Sequence, residues 1–93
     1  MSVLDIDKST PVTPEYLVSK GFQRCSVRLF RDFMPTIWYE YKIGRVVAMV
    51  VSLQQNMVEY RPDLNSTRKW VSILDTQQIE LLINLSHNMY DHG

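Results

Sequence analysis

Ile37-Trp38-Tyr39-Glu40-Tyr41-Lys42-Ile43, then Gly44-Arg45, then Val46-Val47-Ala48-Met49-Val50-Val51, reads as two antiparallel strands joined by a tight turn. In the first run Ile37, Tyr39, Tyr41 and Ile43 fall on one face and Trp38, Glu40 and Lys42 on the other, the period of two that a strand imposes. Gly44 supplies the positive φ that a two-residue hairpin turn needs at its first position. The run after it, Val46 to Leu53, is apolar almost throughout, which predicts a central strand covered on both faces.

Working outward, Cys25, Val27 and Leu29 alternate with Arg24, Ser26 and Arg28, so Gln23 to Phe30 is predicted to be a strand and Arg31 to Thr36 its connecting loop. A register with Leu29 opposite Tyr39 sets Arg28 beside Glu40 and Phe30 beside Trp38. Before it, Thr13-Pro14-Glu15 has the signature of a helix start, and Gly21-Phe22 that of a Schellman ending that folds Phe22 back on Leu17. Residues 1–12 show no sustained period and are expected to be a flexible arm. Downstream, Met57 to Tyr60 and Lys69 to Leu74 are further candidate strands, separated by the polar loop 61–67. Asp75 opens the last helix, with Gln78 placed to complete a capping box. Ile79, Leu82, Ile83, Ser86, Leu85 and Met89 give that helix a broad face to pack on the sheet. The prediction is an α+β fold in one domain over 13–93: an antiparallel β-meander of four or five strands, a short N-terminal helix, and a longer C-terminal helix packed on one sheet face.

Lys and Arg number ten and so do Asp and Glu, a balance that disfavours a protein whose main task is gripping phosphates or anionic lipid. The single cysteine, Cys25, forms no intrachain disulfide and reads as a small packing residue. The longest apolar run, Val46 to Val51, is far below the ~20 residues of a membrane span, and the acidic start is unlike a signal peptide. A cytoplasmic protein is expected. No metal is expected, since His87 and His92 are five residues apart and do not share a helix face. Glu40 and Glu59, beside Lys42 and Arg61, read as ion-paired surface carboxylates rather than an acid–base pair. No serine sits in a nucleophile elbow. The chain is therefore read as a non-enzyme without a cofactor.

Thr-Pro-Glu-Tyr-Leu at 13–17, Gly21-Phe22, Trp38-Tyr39-Glu40-Tyr41 and the Gln- and Leu-rich stretch from Gln77 to Leu85 resemble a loose group of small bacteriophage and mobile-element proteins. The resemblance spans residues 13–85 and implies the order helix, meander, helix. It carries over no functional residue.

Arg24 and Arg28, close to Phe30 and Trp38 in the expected register, form the most suggestive surface. Arginines beside exposed aromatics are the composition of protein interface hot spots. With one sheet face under the C-terminal helix, Trp38, Phe30, Val47, Met49 and Val51 are left on the reverse face, an apolar area larger than a monomer usually exposes. The predicted function is protein binding of adaptor or inhibitor type, or homodimerisation, through Arg24, Arg28, Phe30, Trp38 and Met49. The alternative is a nucleic-acid-binding module using the same basic and aromatic strip.

Overall fold

The computed structural model describes residues 10–28 and 36–91. They form an α+β fold: helix α1 (Pro14–Ser19), strands β1 (Gln23–Val27), β2 (Thr36–Ile43), β3 (Val46–Ser52), β4 (Met57–Tyr60) and β5 (Lys69–Ser72), and helix α2 (Thr76–Asp91). The strands make one antiparallel sheet in chain order, β1-β2-β3-β4-β5.

The capping chemistry read from the sequence is present atom by atom in α1. Thr13 Oγ1 accepts the Tyr16 N–H at 3.1 Å. At the other end the Phe22 N–H donates to the Leu17 carbonyl and the Gly21 N–H to the Val18 carbonyl, both at 3.0 Å, with Gly21 at φ +101°. This is the paired hydrogen bonding of a Schellman ending, and its apolar partners Leu17 and Phe22 are both buried. Residues 10–12, expected to belong to a loose arm, are tied in: the Thr76 N–H donates to the Thr10 carbonyl at 3.1 Å and Val12 packs on the core. The rest of the expected arm, 1–9, lies outside the described residues.

Two registers differ from the expected ones, and both decide which side chains face outward. In the β1–β2 pair Arg24 lies opposite Tyr39 and Cys25 opposite Trp38, five positions away from the register that set Leu29 against Tyr39. The cause is Phe22. Once the Schellman ending drives its ring inward, 5.1 Å from that of Tyr41, a period of two places Arg24 on the helix side and Cys25 and Val27 on the reverse side. Gln23, not Arg28, sits opposite Glu40. Strand β1 ends at Val27, and the expected continuation through Leu29 and Phe30 lies outside the described residues.

In the β2–β3 hairpin Ile43 pairs with Val46 around Gly44 (φ +64°), as expected, but the register shifts by one between Tyr41 and Lys42. Lys42 pairs with Val47 and Tyr41 with Met49, so Ala48 is an unpaired bulge residue. Without the bulge Val50 and Ser52 would turn toward the helices and Met49 and Val51 away from them. With it, Met49 and Val51 enter the core with no exposed surface, alongside Leu17, Phe22, Tyr39, Val58 and Ile79. The bulge keeps the Ser52 hydroxyl out from under the helices and puts Met49 opposite Tyr41 where Ala48 would otherwise stand.

Helix α2 packs on the same face as α1. Its Asp75 Oδ1 accepts the Gln78 N–H at 2.9 Å, half of the expected capping box. The Gln78 carboxamide does not return to Asp75. It accepts from the Leu74 N–H at 2.8 Å and donates to the Ser72 carbonyl at 2.9 Å, closing part of the outer edge of β5. Tyr16 fastens α1 to α2 by donating toward the Thr76 carbonyl (3.1 Å) and Glu80 Oε2 (3.2 Å), and Lys20 Nζ lies 3.4 Å from the same carboxylate. Burial first, then the Glu80 charge and hydrogen bond, push the Tyr16 hydroxyl pKa up to about 12.

Candidate interaction surface on the open sheet face

Strand pairing fixes the composition of the face turned away from the helices. One row across it runs Gln23, Glu40, Val50, Glu59, Trp70, and the next Cys25, Trp38, Ser52, Met57, Ser72. Among the described residues no helix covers this face, and Val27 and Trp70 are 43% and 46% exposed.

The two halves of the face are built differently. Toward β3's start, Arg68 reaches back across β4, donating to the Val47 carbonyl and lying 3.6 Å from Glu59 Oε1. Its guanidinium and methylene stem occupy that half. The other half is an open hollow of about 370 Å³, floored by Val50 and Ser52 and flanked by Trp38 and Trp70. These are the only two tryptophans in the chain.

Each wall is placed by a definable cause. Trp38 Nε1 donates to Glu40 Oε2 at 2.9 Å, which ties the indole to its own strand and uses its only polar atom. Trp70 stands on the edge strand β5 opposite Glu59. At the rim, the turn after β3 brings Gln54 and Gln55 up. Gln54 Oε1 accepts the Ile37 N–H at 3.0 Å, the Gln55 N–H donates to Ser52 Oγ at 3.3 Å, and Asn56 closes the turn at φ +58°. Among the described residues no charged side chain lines the hollow.

The five residues singled out from the sequence are not brought together. Trp38 is on the open face. Arg24 is on the helix side of the sheet, in a separate hollow of about 670 Å³ with Pro14, Glu15, Val18 and Tyr39. Arg28 is exposed just beyond β1. Met49 is fully buried beneath the helices, turned inward by the Ala48 bulge, and is a core residue rather than a contact residue. Phe30 lies outside the described residues. Trp70 is the wall that sequence reasoning missed. Its alternation with Val71 is legible in the sequence, but the face it occupies follows from the registers between β3, β4 and β5.

The other candidates have structural partners. Glu59 pairs with Arg68, not with its neighbour Arg61. His87 Nε2 is 2.7 Å from the Tyr41 hydroxyl, with the two rings edge to face, while His92 lies outside the described residues. The Cys25 thiol is pushed above its ordinary pKa, by burial first and then by the Glu40 charge and hydrogen bond, with Lys42 opposing. A raised pKa means less thiolate, hence a sluggish nucleophile. Among the described residues no group of His, Cys, Asp and Glu is arranged to hold a metal ion, and no helix is long and apolar enough to cross a membrane. No protein-family model, curated protein or solved structure matches the chain.

Proposed function

We propose that the chain works by binding another protein, in the manner of an adaptor or inhibitor rather than by catalysis, through the open sheet face around Trp38 and Trp70. The observation that carries this reading is that both tryptophans flank one hollow on the face that no described helix covers. Tryptophan is the residue most enriched where interfaces concentrate their energy, and an indole fixed in place loses little further freedom on binding. The phage or mobile-element character implied by the sequence resemblance fits a small protein that acts on a larger partner, and a cytoplasmic setting goes with it. The nucleic-acid alternative is less well supported: Arg24 and Trp38 lie on opposite sides of the sheet, and Arg68, on the open face, is held by Glu59 and Val47.

Capture of binding partners by the tagged chain from nuclease-treated bacterial lysate tests the proposal, with Trp70→Ala run in parallel. A stoichiometric protein retained by the parent chain and lost with Trp70→Ala is the expected outcome. Material that disappears on nuclease treatment, or a partner indifferent to Trp70, would overturn it.

Self-association is the second reading, favoured by a separate surface. Leu74 (73% exposed) and Leu81 (68%) stand beside a hollow of about 450 Å³ that includes Tyr60 and Val71. Knob and recess on one patch are what a twofold contact between copies requires.

A further inference from the structure

The hollow on the open face has a chemistry more specific than apolarity, and it narrows the kind of segment that fits. Accepting the face as a protein-binding surface, we propose that the hollow takes a proline-rich segment of the partner, held as an extended polyproline II helix.

Three observations converge on that ligand. The first is the walls. Indole faces stack well against the flat, electron-poor methylenes of proline rings, and aromatic-lined grooves are the general solution to polyproline II recognition. Trp38 and Trp70 sit on β2 and β5, three strand spacings apart across the sheet and one row apart along it, roughly 16 Å in all, which is a little under two turns of a polyproline II helix at ~9 Å per turn. Prolines six residues apart share an edge two turns apart, ~18 Å, so with the breadth of the indoles one edge of such a segment can meet both walls.

The second is the polar inventory. A proline-rich segment offers carbonyl acceptors and few N–H donors, so its site must supply donors. Ser52 Oγ receives the Gln55 N–H, which leaves its own hydrogen to be given outward. The Gln55 side chain is exposed at the rim. Among the described residues no acceptor holds the Trp70 indole N–H. Trp38 has spent its N–H on Glu40 and serves as a wall alone.

The third is charge and depth. Among the described residues the lining is uncharged, which matches an uncharged ligand and provides nothing to neutralise a phosphate backbone. A shallow site also needs a ligand that loses little entropy on binding, and the preformed polyproline II conformation meets that need.

The test titrates the full chain with decaproline, with a ten-residue Gly-Ser peptide and with a ten-nucleotide oligothymidylate, reading tryptophan fluorescence and heat. The expected result is saturable binding of decaproline alone, weakened at least tenfold by Trp70→Ala and by Trp38→Ala, with Trp70→Phe, which keeps a stacking ring and loses the indole N–H, falling between Trp70→Ala and the parent. Thermal melts of the variants verify folding, and Leu81→Ala, on the other side of the sheet, serves as the control that leaves binding unchanged. Absence of saturable decaproline binding overturns the inference, as does preferential binding of oligothymidylate. A random-peptide display selection separates this failure from failure of the broader reading. Trp70-dependent peptides without proline would refute the polyproline ligand and keep protein binding on this face, whereas no Trp70-dependent peptide would count against both.

Discussion

Met49 shows how much one side chain's placement matters. Counted by alternation from Gly44 it belongs to the outward surface, yet it is sealed beneath the helices. Met49→Ala is expected to cost about 2–5 kcal/mol, the range for emptying a core site, where an exposed methionine would cost almost nothing. Chemical denaturation distinguishes the two, and a loss under ~0.5 kcal/mol would place Met49 at the surface after all. Tyr16 makes a prediction of a different kind. Its folded pKa, about 12, exceeds the ordinary value near 10, so the neutral hydroxyl is the form the fold favours. The stability it contributes is complete below pH ~10 and is lost as pH rises toward ~12. Tyr16→Phe should lower the melting temperature at pH 7 and flatten its decline between pH 10 and 12. An unchanged alkaline slope in Tyr16→Phe would show that this hydroxyl is not the linked group.

At the scale of elements, β5 illustrates an edge managed by a side chain. The Gln78 carboxamide meets the Leu74 N–H and the Ser72 carbonyl much as the next strand would, and so denies those groups to another chain. Gln78→Ala is expected to destabilise the fold by about 1 kcal/mol and to raise concentration-dependent association seen by light scattering and thioflavin fluorescence. Gln78→Glu keeps an acceptor and adds a repelling charge, so it should remain dispersed. Equal association of the parent and Gln78→Ala would show that the edge is not what limits aggregation.

The same scale shows what was legible in the sequence. Caps and turns were, because Thr13, Gly21, Gly44 and Asp75 act through neighbours a few residues away. Registers were not, because they are settled between elements. The signals existed in conflict: Val51 and Leu53 apolar against Ser52 and Gln54 polar points Val51 inward, while Ile43 opposite Val46 points it outward. Only an extra residue reconciles the two, and Ala48 is that residue. For β1, Phe22 already fixed the parity that the alternation of Cys25 and Val27 left open. The open face follows from these registers, so Trp38 could be named from sequence while its companion Trp70 could not.

For the whole molecule, the arrangement separates two surfaces: the tryptophan hollow on one side of the sheet and the Leu74–Leu81 patch on the helix side. If the second mediates self-association, Leu81→Glu should convert a dimer to a monomer in size-exclusion chromatography with light scattering while leaving Trp70-dependent binding intact. A parent chain that is monomeric at high micromolar concentration would remove that patch from consideration. The bulge at Ala48 has a wider consequence. Strand β3 is a message with two reading frames, since Met49 and Val51 in one and Val50 in the other are all apolar enough to be buried. Its neighbours choose between them: Tyr41 takes Met49 rather than the smaller Ala48, and Ser52 declines the interior. Deleting the single residue Ala48 would leave Met49 opposite Tyr41 and Val51 opposite Tyr39, whereas a ladder running straight through Ala48 would turn the strand inside out and present Met49 and Val51 where the hollow now has its floor.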